Sequence, residues 1–203
     1  SVKQKVVTYE TASRNGEPFE EMISVLGIPS TEAPFCSHQL KRLPIISYVK
    51  SIVWNDYFTA IGIRYDEPTR VNDNWLSLKL MYPFAIENPK IKRQISEWWG
   101  RQNFDLNIDP DDGNCDNCWK KDFPRLARRA IKKPKSFDWW QKMEDDYSML
   151  TPRENGSKPP YYFFRGQKRV ADIFEMAKMS QAELKQITMF DPIDGCSESC
   201  EVF

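Results

Sequence analysis

The sequence predicts an α/β protein with few strands among many helices, and three observations carry that expectation. Residues 57–64 (Tyr-Phe-Thr-Ala-Ile-Gly-Ile-Arg) read as a buried strand that ends in a charge and runs into a polar turn at 65–70. At least five segments instead show helical apolar spacing with Pro near the start or Gly near the end. The few remaining β-prone stretches are too short and too scattered to complete a doubly wound sheet.

In chain order, residues 5–9 (Lys-Val-Val-Thr-Tyr) are short and β-prone. Residues 17–27 place Phe19, Met22, Ile23 and Leu26 at helical spacing, with Pro18 near the start and Gly27 at the end. A second helix is expected over 37–52, where Pro44 must kink it or mark a new start. After the strand at 57–64, residues 79–83 form another short extended piece. A helix follows over 88–100 with Asn88 as cap and Pro89 in its first position. Residues 105–117 are loop-like, and helices are expected over 119–131 and 136–147. The Thr-Pro-Arg-Glu-Asn-Gly-Ser-Lys-Pro-Pro run at 151–160 is the clearest loop. Late helices cover 167–179 and 181–188, before a turn-rich tail at 191–203. Three regions result: a partial α/β core at 1–110, a helical part at 111–190, and a cysteine-containing tail at 191–203.

Length and composition set limits. The 203 residues suffice for one globular domain or slightly more. Lys and Arg number 29 and Asp and Glu number 29, so overall charge gives no drive toward nucleic acid or acidic membranes. At 40% hydrophobic and 13% aromatic the composition is that of a folded protein. The longest apolar runs are far too short to span a bilayer, so no membrane partner is expected. No apolar segment of signal-peptide type follows Ser1-Val2-Lys3-Gln4-Lys5. The five cysteines are an odd number, which argues against a fully paired disulfide framework. The expected compartment is therefore the reducing cytoplasm.

In that setting clustered cysteines hold metals or do redox chemistry. Cys115-Asp116-Asn117-Cys118 is a C-x-x-C, whose spacing lets two sulfurs converge on one ion or cluster edge. Cys36 lies upstream with 78 residues between it and Cys115, and Cys196 and Cys200 lie downstream. Four thiolates would complete either a Zn²⁺ or a [4Fe–4S] site, and spacing does not separate the two. The plainer alternative is that these are ordinary buried cysteines.

Arg64 and Arg70 stand at a strand exit, where anions are commonly bound, and guanidinium forks suit phosphate or sulfate. Lys41 and Arg14 would add charge to the same pocket, while Asp66 and Glu67 would orient the arginines or a ribose hydroxyl. The alternative is a structural salt-bridge turn. Residues 120–135 carry eight cations (Lys120, Lys121, Arg125, Arg128, Arg129, Lys132, Lys133, Lys135) against Asp122. They read either as a solvated helix face or as a phosphate-backbone patch for nucleic acid. Trp98-Trp99 and Trp139-Trp140 are expected to pack the core on one face each. His38, the single histidine, reads as a hydrogen-bonding residue of a helical turn.

Five elements in order resemble the phosphoadenosine phosphosulfate (PAPS) reductase family, especially its short phage and prophage members. Residues 7–19 (Val-Thr-Tyr-Glu-Thr-Ala-Ser-Arg-Asn-Gly-Glu-Pro-Phe) are similar to a segment of those members. Residues 35–45, with Cys36, Lys41 and Pro44, are similar to a Cys-x-x-x-x-Lys-x-x-Pro element. Residues 61–70 resemble a G-x-R-x-D-E-x-x-R element, and Tyr82-Pro83-Phe84 the aromatic-Pro-Leu step after it. Residues 113–121 are similar to a G-N-C-x-x-C-x-x-K element.

The resemblance implies an adenine-nucleotide alpha-hydrolase-like (Rossmann-like) sheet, truncated at its start, with a helical Cys-rich part after it. It implies an adenine nucleotide or sulfonucleotide as ligand and a Cys-ligated centre, most simply [4Fe–4S], with zinc as the alternative. The family's Ser-Gly-Gly-Lys-Asp-Ser-type phosphate loop does not occur here. The chain is then a fragment, a variant without ATP-type binding, or the partner of a polypeptide that supplies the loop. The Glu-Cys-Gly-hydrophobic-His element of thioredoxin-coupled members is also absent, the tail reading Gly-Cys-Ser-Glu-Ser-Cys over 195–200. Iron–sulfur members carry a Cys-Cys pair where Phe35-Cys36 stands, so Cys196 or Cys200 would have to replace one ligand. Three functions follow: a PAPS reductase-like oxidoreductase, a sulfurtransferase modifying nucleic acid, or a metal-stabilised binding module.

Overall fold

The computed structural model describes residues 4–105, 107, 115–151, 158–180, 182–184 and 186. It is a mixed α/β protein dominated by helix, with one two-stranded parallel sheet among the described residues. The chain divides into two compact units, Ser1–Tyr48 with Ile108–Phe203, and Val49–Asn107.

In the first unit, α1 (Glu17–Leu26) begins where Gly16 takes φ 87°, a left-handed conformation that suits glycine. The Gly16 carbonyl accepts from Phe19 and Glu20, and the Gly27 amide closes the far end on Ile23. Phe19 packs on Trp139 and Trp140, at 5.4 and 5.9 Å between ring centroids. The Trp139 indole lies where a Gly16 side chain would go, with a built Cβ only 2.8 Å from the ring. Residues 38–42 form one turn of π-helix that leads into α2 (Leu43–Ser51). Pro44 sits in the first turn of the new helix, where its missing N–H is not needed.

Helix α4 (Phe123–Lys132) starts four residues later than the periodicity predicts. The reason is local: Asp122 is extended and its carboxylate accepts from the Arg125 amide at 2.7 Å. A 3₁₀ turn (Pro134–Phe137) leads into α5 (Asp138–Tyr147), and α6 (Val170–Met176) closes the unit. The apolar faces meet in a core built around Ile23, Phe35, Leu126, Phe137, Met143, Phe163 and Ile173. The expected helix at 181–188 and the tail with Cys196 and Cys200 lie outside the described residues, apart from fragments of the former.

Glu144 is the one buried carboxylate of this core among the described residues, accepting from the Val170 amide at 3.0 Å and the Phe163 amide at 3.4 Å. It pins the segment before α6 onto α5. Desolvation outweighs those two donors and pushes its carboxyl up to about 7.

In the second unit, β1 (Thr59–Ala60) runs parallel to β2 (Leu80–Met81), with Thr59 opposite Leu80 and Ala60 opposite Met81. The expected strand at 57–64 is thus only two residues long, because only there does a partner strand lie alongside. Turns rather than a helix make the crossover, including a 3₁₀ turn at Pro68–Arg70. Ile63, Leu80 and Tyr82 are buried. Helix α3 (Lys92–Trp99) starts four residues after the predicted cap. The Asn88 and Lys90 amides are taken by the Pro83 and Phe84 carbonyls, and Gln94 closes the helix start on the Ile91 amide. Trp98 and Trp99 are 53% and 43% exposed, which corrects their expected core role. Residues 5–9 form no strand; Val6, Val7 and Tyr9 are exposed with no strand beside them.

Two outcomes follow. Wild-type stability should fall as pH rises from about 4.5 to about 7, because the unfolded Glu144 loses its proton first and the folded one keeps it. In Glu144→Gln that decline should flatten, measured as thermal midpoints across the interval; an unchanged slope contradicts the assignment. Gly16→Ala should destabilise by roughly 1–3 kcal/mol through φ strain and the Trp139 clash, read from chemical denaturation.

Candidate cysteine site

The C-x-x-C is a tight turn, with the Cys118 amide bonded to the Cys115 carbonyl at 3.3 Å and the Lys121 amide to the Cys118 carbonyl at 2.9 Å. Its two intervening residues are anchored from α4. Asn117 has no exposed surface, and its Oδ1 accepts from Arg129 Nε at 3.1 Å. Asn117 Nδ2 donates to the Ser136 carbonyl at 2.8 Å. The same Arg129, itself buried, reaches Asp116 with a terminal guanidinium nitrogen at 3.2 Å. One guanidinium therefore fixes both residues between the cysteines, with the 3₁₀ turn at Pro134–Phe137 as a second anchor.

Cys36 comes from the segment just before the π-turn. It meets Cys115 and Cys118 in the lining of one cavity of about 60 Å³, with Phe19, Ser37, Leu40, Lys41, Trp119 and Trp140. Cys118 is buried, Cys36 half-buried and Cys115 exposed. Lys121 is buried beside the turn; burial holds its ammonium below the ordinary lysine value, against the opposing pull of Cys118 and Asp116. The Trp119 indole N–H is buried and meets no acceptor among the described residues. A buried donor without an acceptor is uncommon, and here it belongs to a residue that lines the thiol cavity.

Among the described residues no group of three or more His, Cys, Asp or Glu side chains is gathered closely enough to hold a metal ion. These cysteines thus share a cavity without forming a coordination sphere by themselves. Cys196 and Cys200 lie outside the described residues.

The other predicted site residues divide between the units. Lys41 lines the cysteine cavity while remaining exposed. Arg14 lies in the exposed loop before α1, with its guanidinium over the Tyr9 ring at 4.4 Å and bonded to the Tyr9 carbonyl. Arg64, Asp66, Glu67 and Arg70 lie together in the second unit. Arg64 Nε bonds Asp66 at 2.9 Å, and Arg70 bonds Glu67 at 2.6 Å. Glu67 also accepts from the Arg64 backbone amide. Desolvation works against the charged form of Asp66, yet hydrogen bonds from Arg64 and the Lys92 amide outweigh it and hold that carboxyl below its ordinary value. This is a turn closed on itself, as the salt-bridge alternative describes.

The basic run at 120–135 is likewise divided. Lys121 and Arg129 are buried, and Arg125 lies 3.6 Å from the Asp122 carboxylate. Lys132, Lys133 and Lys135 are exposed. His38 is half-buried in the π-turn, where its carbonyl accepts from the Leu43 amide. Sequence reasoning missed Asn117 and Arg129. The signal available was a neutral amide between two cysteines, followed 12 residues later by an arginine on the apolar side of an amphipathic helix.

The chain is 28% identical over 194 residues to an uncharacterized nin region protein, ORF290, of Escherichia phage lambda, covering 92% of this chain and 64% of that protein. This chain therefore spans a little under two thirds of that relative's length. No protein-family model and no solved structure matches it. No helix among the described residues is long and apolar enough to cross a membrane.

Asn117→Ala should cost roughly 2–3 kcal/mol, since it strands a buried guanidinium and a backbone carbonyl. Asp116→Ala, at an exposed partner, should cost about 1 kcal/mol or less. Equal losses in urea unfolding would contradict the division of roles.

Proposed function

We propose that the chain is a PAPS reductase-like protein that handles an activated sulfur donor or adenylated substrate beside a Cys-ligated centre, on a Rossmann-like frame. The observation that carries this reading is the cavity shared by Cys36 with Cys115 and Cys118, although 78 residues lie between Cys36 and Cys115 in the chain. The donor type suits a [4Fe–4S] cluster, with soft sulfurs on one cavity and cationic Lys41 and Lys121 nearby, although the three described sulfurs are not gathered around one ion as they stand. Cys36, Cys115 and Cys118 would hold it, with Cys196 or Cys200 as the fourth ligand. When bound, the cluster would supply electron transfer or local charge. The chain's own part is to hold the thiols on one cavity, keep Cys118 away from solvent, and offer Lys41 to an anionic substrate.

A second reading, a non-catalytic metal-stabilised module, draws support from the second unit. There Arg64 and Arg70 are already occupied by Asp66 and Glu67, so a phosphate or sulfate must displace a carboxylate to reach them.

Protein prepared without oxygen should contain about four iron and four sulfide per chain with visible charge-transfer absorbance. Cys118→Ser should lose both, together with stability. One zinc and no colour would replace the cluster by a structural ion, and full metal retention by Cys118→Ser would remove that ligand. Calorimetric titration with a sulfonucleotide separates the two readings: heat of binding supports the first, and its absence with the centre intact supports the module.

A further inference from the structure

The second unit carries a groove of about 460 Å³ that none of the site residues above explains. Its apolar lining comes from Phe84, Ile95, Trp98 and Trp99. Ile91, Ile95, Trp98 and Trp99 recur at helical spacing along α3 and just before it, an apolar stripe that is half-buried at the isoleucines and exposed at the two indoles. The two indoles meet edge to face at 4.8 Å and 80°, and Phe104 packs the same way on Trp99 at 5.8 Å and 83°. The end of α3 is held in place: Arg101 and Gln102 donate backbone amides to the Trp98 and Trp99 carbonyls, and the Gln102 side chain caps Trp98 again at 2.9 Å. The rings are thus held in fixed positions and yet exposed, a combination that marks a binding surface.

The charge in the groove selects the occupant. Lys90 and Arg101 line it, and neither is paired with a carboxylate among the described residues. The single acid of the lining, Glu97, is neutralised by Arg93 at 3.0 Å. Fixed aromatic rings beside two uncompensated cations suit a ligand with flat unsaturated faces and one negative charge per unit of length. We infer that this groove binds single-stranded nucleic acid, with unpaired bases against Trp98 and Trp99 and backbone phosphates at Lys90 and Arg101. Paired bases in a duplex present no faces to the rings. A free nucleotide polyphosphate would concentrate its charge at one end, where two separated cations and no glycine-rich backbone cradle meet it. The inference is independent of the cysteine site and of the basic run at 120–135.

The test is fluorescence anisotropy of labelled oligo(dT) with the full chain, repeated over a salt series. Binding should quench tryptophan emission, exceed that of the same-length duplex, and fall with salt at a log–log slope of about −1.4 for two phosphates. Trp99→Ala should weaken it roughly tenfold or more, and Arg101→Gln should lower the slope by about half. Both positions are exposed, so circular dichroism should show folded variants. The inference is overturned by absent binding at low salt, by equal affinity for duplex, by self-association that buries the indoles, or by variants with unchanged affinity. It is equally overturned if Lys132→Glu with Lys133→Glu, and not the groove variants, abolishes binding.

Discussion

A single buried guanidinium holds the cysteine end of this protein together. Arg129 lies inside a helical core, where an unpaired charge would cost several kcal/mol, and it is tolerated because Asn117 and Asp116 meet it. The geometry works in both directions. Arg129 needs those two partners, and they can reach it only when the C-x-x-C is folded as a tight turn against the start of α4. Asn117 then spends its second polar group on Ser136, so the loop is tied to two elements at once. Cys115 and Cys118 thereby inherit a fixed position from the two residues between them.

This also settles what the basic run means locally. Eight cations in a row of 16 residues look like one surface, but a helix distributes them around its circumference. Phe123, Leu126, Ala127 and Ala130 define the buried face, and Arg129 falls within it. Lys121 belongs to the cysteine turn, and Arg125 to the Asp122 cap. Only at and beyond the last residue of the helix do Lys132, Lys133 and Lys135 face solvent together. Counting charge along the sequence overstates a patch whenever some of the charges neutralise or anchor something inside.

Local grammar was readable in the sequence wherever it has a local cause. Gly27 ends α1 at φ 86°, a conformation open to glycine, and Pro44 falls in the first turn of α2, each through a backbone property of one residue. Cys36 and the C-x-x-C line one cavity, a juxtaposition that family-like spacing suggests and periodicity does not. Errors arose where a distant partner decides. Residues 5–9 have strand-forming side chains and no strand to pair with, and β1 shrinks to two residues for the same reason. Helix α3 begins late because Asn88 and Lys90 give their amides to the π-turn at Pro83–Glu87, a competition invisible to a capping rule. Trp98 and Trp99 were assigned to the core on residue type alone, which takes no account of how little core the second unit has.

That shortage is itself instructive. The second unit runs from Val49 to Asn107, and its buried apolar side chains among the described residues are Ile63, Leu80 and Tyr82. A unit of that size sits near the lower limit at which hydrophobic burial alone sustains a fold. A two-residue parallel pair adds little, since parallel pairing is the weaker kind and is normally covered on both faces. Short-range closures carry the rest: Leu80 bonded back to Trp75, Asn72 donating to the Tyr82 hydroxyl, and the Arg64–Asp66–Glu67–Arg70 turn bonded within itself. In this setting the arginines are a structural device first. A carboxylate that fixes a guanidinium also fixes the turn, so an anion that captured Arg70 would have to leave Glu67 with another donor. The Arg64 backbone amide already supplies one, which makes Glu67 the hinge on which any exchange of partners at this turn would depend.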